Sequence, residues 1–203
     1  KVYGPHSALL YGRRSSLLRL SSLNHFNVNT ETAAHQKLLV GGLGYESTYS
    51  VSAVLEYLCS LGGLFSLPPL SATALDDETR SIVRGALTVA FDRIAAHESV
   101  LAERALDIFS KYESVEVIGE VSPSSAARVP TFSFVVKDTD SASVPTKCLA
   151  SKVGIKAGAF HSSRLTDALG LAGRQGGVRG SFVHYNTVDE VDAFGEALKN
   201  ALA

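Results

Sequence analysis

The chain lacks methionine and tryptophan altogether, and it has only two cysteines, Cys59 and Cys148, among 203 residues. Because a complete translation product begins with methionine, we expect the chain to be a fragment or a processed product. The two cysteines lie far apart and form no Cys-x-x-Cys pair. We therefore expect two free thiols in an intracellular protein, with a single disulfide as the alternative.

Long apolar runs and an excess of charge of either sign are also missing. Nineteen Lys and Arg residues nearly balance twenty Asp and Glu residues, for a net charge of −1, so no basic surface for nucleic acid or anionic lipid is expected. The apolar runs are too short to span a membrane, and the first residues lack the pattern of a secretory signal. The sequence therefore predicts a cytoplasmic protein that binds neither nucleic acid nor membrane.

The chain has a hydrophobic content of 45%, which predicts a globular core. The clearest boundary is the stretch Leu-Pro-Pro-Leu at 67–70, because consecutive prolines cannot continue a helix. We predict two domains, residues 1–66 and 67–203. In the first domain the pattern predicts a strand over 7–12, a short helix or turn over 13–20, and a helix that ends at Gly62.

The second domain has alternating helical and strand patterns. A long helix with an acidic start and one apolar stripe is predicted over 76–109. The capping-box pattern of Thr187 and Glu190 predicts the start of the last helix. Between these two helices we predict strands over 115–119, 131–136, 155–160 and 178–183, and helices over 144–153 and 163–169. This order predicts a sheet with helices on one face.

Three motifs follow one another in the chain. Residues 1–12 (KVYGPHSALLYG) place a lysine before an aromatic residue, a Gly-Pro turn and a short apolar strand. The other two are residues 128–134 (RVPTFSF) and 178–192 (VRGSFVHYNTVDEVD). In order and spacing they resemble the motifs of class V aminotransferases and cysteine desulfurases, which depend on pyridoxal phosphate (PLP). The resemblance covers the whole chain and corresponds to the C-terminal half of such enzymes.

This resemblance implies an α/β fold: the C-terminal part of a fold-type I PLP-dependent transferase, with a small α+β domain. It also implies that Lys1 forms the Schiff base with PLP and then shuttles the α-proton of an amino-acid substrate. His6 and Gly42 are the other predicted cofactor-binding residues. Gly42 or Leu43 stands where the family usually has a threonine that reaches the cofactor phosphate, so only backbone N–H groups could help; the alternative is a flexible lead-in to a helix.

Two further residues are predicted to contact the substrate. Arg179 matches the family position that binds the α-carboxylate, a role suited to the planar guanidinium; the alternative is a surface ion pair. His161 stands where desulfurases carry the cysteine that accepts sulfur as a persulfide. We therefore predict that the persulfide route is absent, and that Cys59 and Cys148 are core thiols. No metal site is predicted, because the six histidines are scattered.

The predicted function is that of a fragment of a PLP-dependent enzyme that acts on a small amino acid, by amino transfer or by elimination. The resemblance implies that the parent enzyme is a homodimer. It also implies that the aromatic residue over the cofactor ring, the Asp at its nitrogen and the phosphate cup precede Lys1. The alternative is a non-catalytic dimerisation or interaction domain, or a truncated gene product without activity.

Overall fold

The structure is a computed structural model, and it describes residues 4, 6–26, 34–39, 41–68 and 76–203. The chain divides into two compact units, Lys1–Ala90 and Phe91–Ala203. Lys1 lies outside the described residues. The domain boundary between residues 66 and 67 stays a prediction.

The regular secondary structure among the described residues of the first unit is helical. It contains helix α1 (Arg14–Leu18), a 3₁₀ helix (Ala34–Leu38), helix α2 (Tyr45–Leu61) and the first part of helix α3 (Asp77–Phe109). The strand predicted over residues 7–12 is not formed. The described part of this unit contains no other strand, so a strand there would leave its backbone groups without a ladder partner.

A buried lysine joins helix α1 to the 3₁₀ helix. The Lys37 ammonium donates hydrogen bonds to the backbone oxygens of Leu18 (2.8 Å) and Leu20 (2.9 Å), at the end of α1. The Leu18 carbonyl is one of those that a helix leaves without an intrahelical partner, and Leu20 lies just beyond the helix. Lys37 therefore satisfies helix-end carbonyls, a role that the polar composition of residues 21–37 did not reveal.

Helix α2 ends where the sequence predicts, at Gly62. A Cβ atom on Gly62 would lie 1.9 Å from the backbone oxygen of Ala86, so only glycine allows α2 to approach α3 this closely. Helix α3 has 33 residues and carries charged side chains along its length. Among the described helices, α3 included, none is both long enough and apolar enough to cross a membrane.

The second unit is built on a four-stranded antiparallel sheet in the order β1-β2-β4-β3. Its helices are the remainder of α3, α4 (Ser143–Leu149), α5 (Ser163–Ala168) and α6 (Val188–Leu202), with a second 3₁₀ helix at Ala172–Arg174. The strands are β1 (Val115–Ile118), β2 (Thr131–Val136), β3 (Lys156–Gly158) and β4 (Gly177–Ser181). All four predicted strands are therefore present.

Strand β3 and helix α4 are shorter than predicted, because left-handed residues follow them. Gly158 has φ 141°, and Phe160 and His161 have φ 50° and 64°, so the chain leaves the extended conformation after β3. Lys152, with φ 60°, likewise lies beyond the end of α4. These backbone angles follow from how the loops close, and no hydrophobic pattern signals them.

One face of the sheet packs against helices α3, α4 and α6. The Phe109 ring on α3 lies 5.4 Å from Phe132, 4.9 Å from Phe134 and 5.7 Å from Phe194 on α6, measured between ring centroids. Phe132 and Phe134 alternate with Ser133 on β2, as the sequence predicts. This aromatic core confirms the predicted α+β domain, with α3, α4 and α6 on one face; α5, however, borders the opposite face, so the helices do not all lie on one side.

Helix α6 begins with the predicted capping box. The Thr187 hydroxyl accepts a hydrogen bond from the Glu190 N–H (3.2 Å), and the Glu190 carboxylate accepts one from the Thr187 N–H (2.8 Å). The bond from the Thr187 N–H to the Glu190 carboxylate, together with one from the Asn186 side chain, lowers the pKa of Glu190. The capping box is local chemistry, which is why the sequence alone predicts it correctly.

Candidate functional site

Strand pairing places four side chains in one row across the sheet. Ile118 pairs with Ser133, Ser133 with Arg179, and Arg179 with Lys156. Directly paired residues of antiparallel strands point to the same face. Since the alternating neighbour Phe134 faces the aromatic core, this row lies on the opposite face, which we call the outer face.

A cavity of about 340 Å³ opens on the outer face. Its floor includes Ile118, Ser133, Gly177 and Arg179, and its wall consists of the loop after β3, helix α5 and the segment that follows α5. All of these residues belong to the second unit. The cavity therefore places Arg179 beside the loop that contains His161, the other residue predicted to contact the substrate.

Arg179 is held by an aromatic ring. Its guanidinium carbon lies 4.2 Å from the centroid of the Phe160 ring, a cation–π arrangement. Within the described part of the chain, the ion pairs are Arg80–Asp77, Arg104–Asp192 and Lys199–Glu196, and Arg179 belongs to none of them. The guanidinium edge is therefore available to an anion. The sequence did not point to Phe160 as the stacking partner, because the contact depends on the left-handed loop.

The backbone of the loop after β3 is conformationally strained. Phe160 and His161 are consecutive left-handed residues, a conformation that costs about 1–3 kcal/mol for each non-glycine residue. A hydrogen bond from the Ser162 N–H to the Ala159 oxygen (2.8 Å) closes the turn, and the Thr166 hydroxyl donates to the Ser162 oxygen (2.7 Å). His161 is exposed, and its neighbours on both sides line the cavity.

The predicted cofactor residues lie in the first unit. His6 and Gly42 are both exposed, and a Cβ atom on Gly42 would meet nothing within 4 Å. Among the described residues, no closely approaching group requires glycine at position 42. The cofactor roles of Lys1, His6 and Gly42 stay predictions.

Arg128, the first residue of the second motif (residues 128–134), has a structural role. The guanidinium of Arg128 lies 4.0 Å over the Phe132 ring and donates hydrogen bonds to the backbone oxygens of Glu120, Val129 and Thr131. Burial lowers the pKa of Arg128. Because three of its five N–H donors are bound to backbone oxygens, Arg128 orders the loop before β2.

Both thiols are buried and free. Cys59 and Cys148 have no solvent exposure, and burial raises the pKa of each. A thiol of this kind is a poor nucleophile, since the thiolate is the reactive form. The prediction that both cysteines are core thiols is confirmed.

Comparison with known proteins agrees with this architecture. The family model described as "Aminotransferase class-V" matches residues 86–194, more than half of the chain. The chain is 36% identical to "Aminotransferase-like protein FGM3" of Gibberella zeae over 203 residues, which are all of this chain and 44% of that protein. It is 30% identical to "Cysteine desulfurase-like protein ustD" of Aspergillus flavus, covering 96% of this chain and 39% of that protein.

Comparison with solved structures also agrees with this architecture. A cysteine desulfurase from Thermococcus onnurineus NA1, solved in its apo form, superposes with a TM-score of 0.50 at 17% identity, over 69% of this chain and 40% of that one. The chain spans less than half the length of the curated relatives named above. The sequence motifs, the sheet with its helices and the family match agree: the chain belongs to the class-V aminotransferase family of PLP-dependent enzymes, and its fold is part of fold type I.

Proposed function

We propose that the chain supplies the substrate-carboxylate site of a PLP-dependent enzyme that acts on an amino acid. The observation that carries this proposal is the Arg179 guanidinium, which lies in a cavity on the outer face, stacks on Phe160 and belongs to no ion pair among the described residues. The family match supports it, because these enzymes act on substrates that have a carboxylate beside the reacting carbon.

Arg179 suits this task because its planar fork can bind both oxygens of a carboxylate through two parallel hydrogen bonds. The Phe160 ring holds one face of the guanidinium, so less side-chain freedom remains to be lost when a ligand binds. Ser133, the cross-strand neighbour of Arg179, adds a hydroxyl on the same face. Together these residues bind and orient the carboxylate.

PLP supplies carbanion stabilisation in this family. We assign its binding to Lys1, His6 and Gly42, the residues that the resemblance indicates. Amino transfer and elimination are both consistent with this role. The proposal excludes the persulfide route, since His161 replaces the loop cysteine and both thiols are buried.

His161 completes the proposed site. Its exposed position between two cavity-lining residues allows its ring to donate a hydrogen bond or a proton to a bound substrate. Assembly as a homodimer belongs to the same proposal and rests on the family resemblance.

A second candidate function is that of an interaction domain without activity. The observation in its favour is the exposure of large apolar side chains in the first unit, among them Tyr11 at 88%, Phe26 at 93% and Phe65 at 86%. An amino-acid titration separates the two candidates, because only the first requires a carboxylate to bind at Arg179.

The test uses the whole protein loaded with PLP. Adding amino acids should change the PLP absorbance band, and Arg179→Ala should weaken amino-acid binding by roughly 10- to 100-fold, the range for loss of a charged hydrogen-bonding partner. Arg164→Ala is the matched control, because Arg164 is exposed on α5 and does not line the cavity. If wild type and Arg179→Ala bind amino acids equally well, the proposal is wrong.

A further inference from the structure

The cavity beside Arg179 has mainly apolar walls. Ile118 lies on the floor, and Phe160, Leu165 and Leu169 line the wall. Leu165 and Leu169 are 59% and 48% exposed although they face a concave surface. Their apolar surface is in contact with water, and a ligand that covered it would gain from the hydrophobic effect.

Gly177 keeps the floor of the cavity open. It is buried within β4, and a Cβ atom there would make only ordinary contacts, 3.5 Å from the Phe134 oxygen and 3.6 Å from the Ile118 Cδ1 atom. Its φ angle does not lie in the left-handed region. Glycine weakens a strand interior and is found where another group approaches closely. Since neither the backbone nor crowding requires glycine here, its effect is to leave space beside Ile118.

The charge of the cavity lining comes from one described residue. Among the described residues that line the cavity, Arg179 is the one with an ionisable side chain, and the polar side chains are those of Ser133, Ser162 and Thr166. The Thr166 hydroxyl already donates to a backbone oxygen. A volume of about 340 Å³ lies at the small end of the range for small-molecule sites. The lining therefore suits a ligand with one anionic end and an apolar body.

We propose that this cavity holds the apolar side chain of the substrate while Arg179 binds its carboxylate, so that the substrate is a hydrophobic amino acid. This inference rests on the proposed role of Arg179. It disfavours an acidic side chain, because a second carboxylate in the cavity would lose its hydration without meeting a second cation of the lining. Lys156 lies beside Arg179 in the row but does not line the cavity.

The test does not need PLP. The ¹⁵N-labelled chain is titrated with acetate, butyrate and hexanoate while the backbone amide signals are followed by NMR. Affinity should rise about fourfold for each methylene group that enters the cavity. The amides of Ser133, Thr166 and Gly177 should shift together. Hexylamine, which has the same apolar chain and the opposite charge, should bind more weakly than hexanoate.

Two variants at the floor of the cavity sharpen the test. Gly177→Leu places a side chain in the space beside Ile118 and should abolish the dependence on chain length. Gly177→Ala is the matched control, since its single methyl group fits at ordinary contact distances and should preserve most of that dependence. Should Gly177→Leu fail to fold, as judged by loss of dispersed amide signals, Leu165→Ala on the exposed wall should still reduce the gain per methylene.

The outcomes separate this inference from the proposed function. Equal binding of acetate and hexanoate, with both lost in Arg179→Ala, would overturn the apolar-substrate inference and leave the carboxylate role intact. Hexanoate binding that is unaffected by Arg179→Ala would overturn both. A larger loss in Lys156→Ala than in Arg179→Ala would also overturn the inference, since the anion would then bind at the sheet edge, outside the cavity.

Discussion

Replacing Phe160 should lower the affinity for a ligand while leaving the free energy of unfolding nearly unchanged. The ring lies under the Arg179 guanidinium at 4.2 Å, and a cation–π contact at a site of this exposure contributes about 0.5–1 kcal/mol. Phe160→Gly removes that contact and also the left-handed strain, since φ is 50°. Relief of about 1 kcal/mol of strain offsets the entropy that a new glycine adds to the unfolded chain.

Because Phe160→Gly frees the Arg179 side chain, which a ligand must then order, and removes part of the apolar wall, we expect it to weaken hexanoate or amino-acid binding about two- to tenfold. It should change the free energy of unfolding by less than about 1 kcal/mol. Isothermal calorimetry measures the first quantity and urea denaturation the second. Phe160→Tyr keeps the ring and should retain wild-type affinity. Unchanged affinity in Phe160→Gly, or an equal loss in Phe160→Tyr, would refute the positioning role of the ring.

Further predictions concern stability and reactivity. Gly62→Ala should destabilise the chain by about 1–3 kcal/mol in urea denaturation, because its Cβ would lie 1.9 Å from a backbone oxygen of α3. Gly85→Ala, on an exposed helix face with open space, should instead stabilise the chain by about 0.5–1 kcal/mol. The reverse order of stabilities would contradict the packing described. The hydrogen bonds that the Glu190 carboxylate accepts lower its pKa in the folded state, so their contribution to stability should be complete above the ordinary pKa of 4.5 and be lost as the pH falls through the lower folded value. Glu190→Gln should flatten this part of the stability profile, and an unchanged profile would argue against that role. Cys59 and Cys148 should resist a thiol reagent at pH 8 until denaturant is added, because both are buried; rapid labelling of the native chain would be inconsistent with that burial.

The features that the sequence predicted best depend on local patterns. The capping box of Thr187 and Glu190 needs residues three apart, and the alternation of Phe132 and Phe134 needs one strand. The stop of α2 at Gly62 follows from glycine alone, although its physical cause, the approach of α3, does not. Each of these predictions could be made without knowing which elements pack together.

The features that the sequence could not show depend on tertiary placement. The stacking of Phe160 on Arg179 requires both the register of β4 and two left-handed residues in a loop. The role of Gly177 depends on the cavity that its lack of a side chain leaves open, and the sequence does not show that cavity. The predicted strand over 7–12 is wrong for a related reason, since alternation alone does not supply a pairing partner.

The most direct test of the account follows the side chain of Arg179 itself. The Nε–Hε signal of Arg179 is assigned in a ¹⁵N spectrum of the chain by its absence in Arg179→Lys, and leucine, hexanoate or sodium chloride is then added. We predict that leucine and hexanoate shift this signal to saturation, and that chloride at the same ionic strength does not. An Arg179 signal that stays in place while other arginine signals move would contradict the central claim that Arg179 binds the substrate carboxylate.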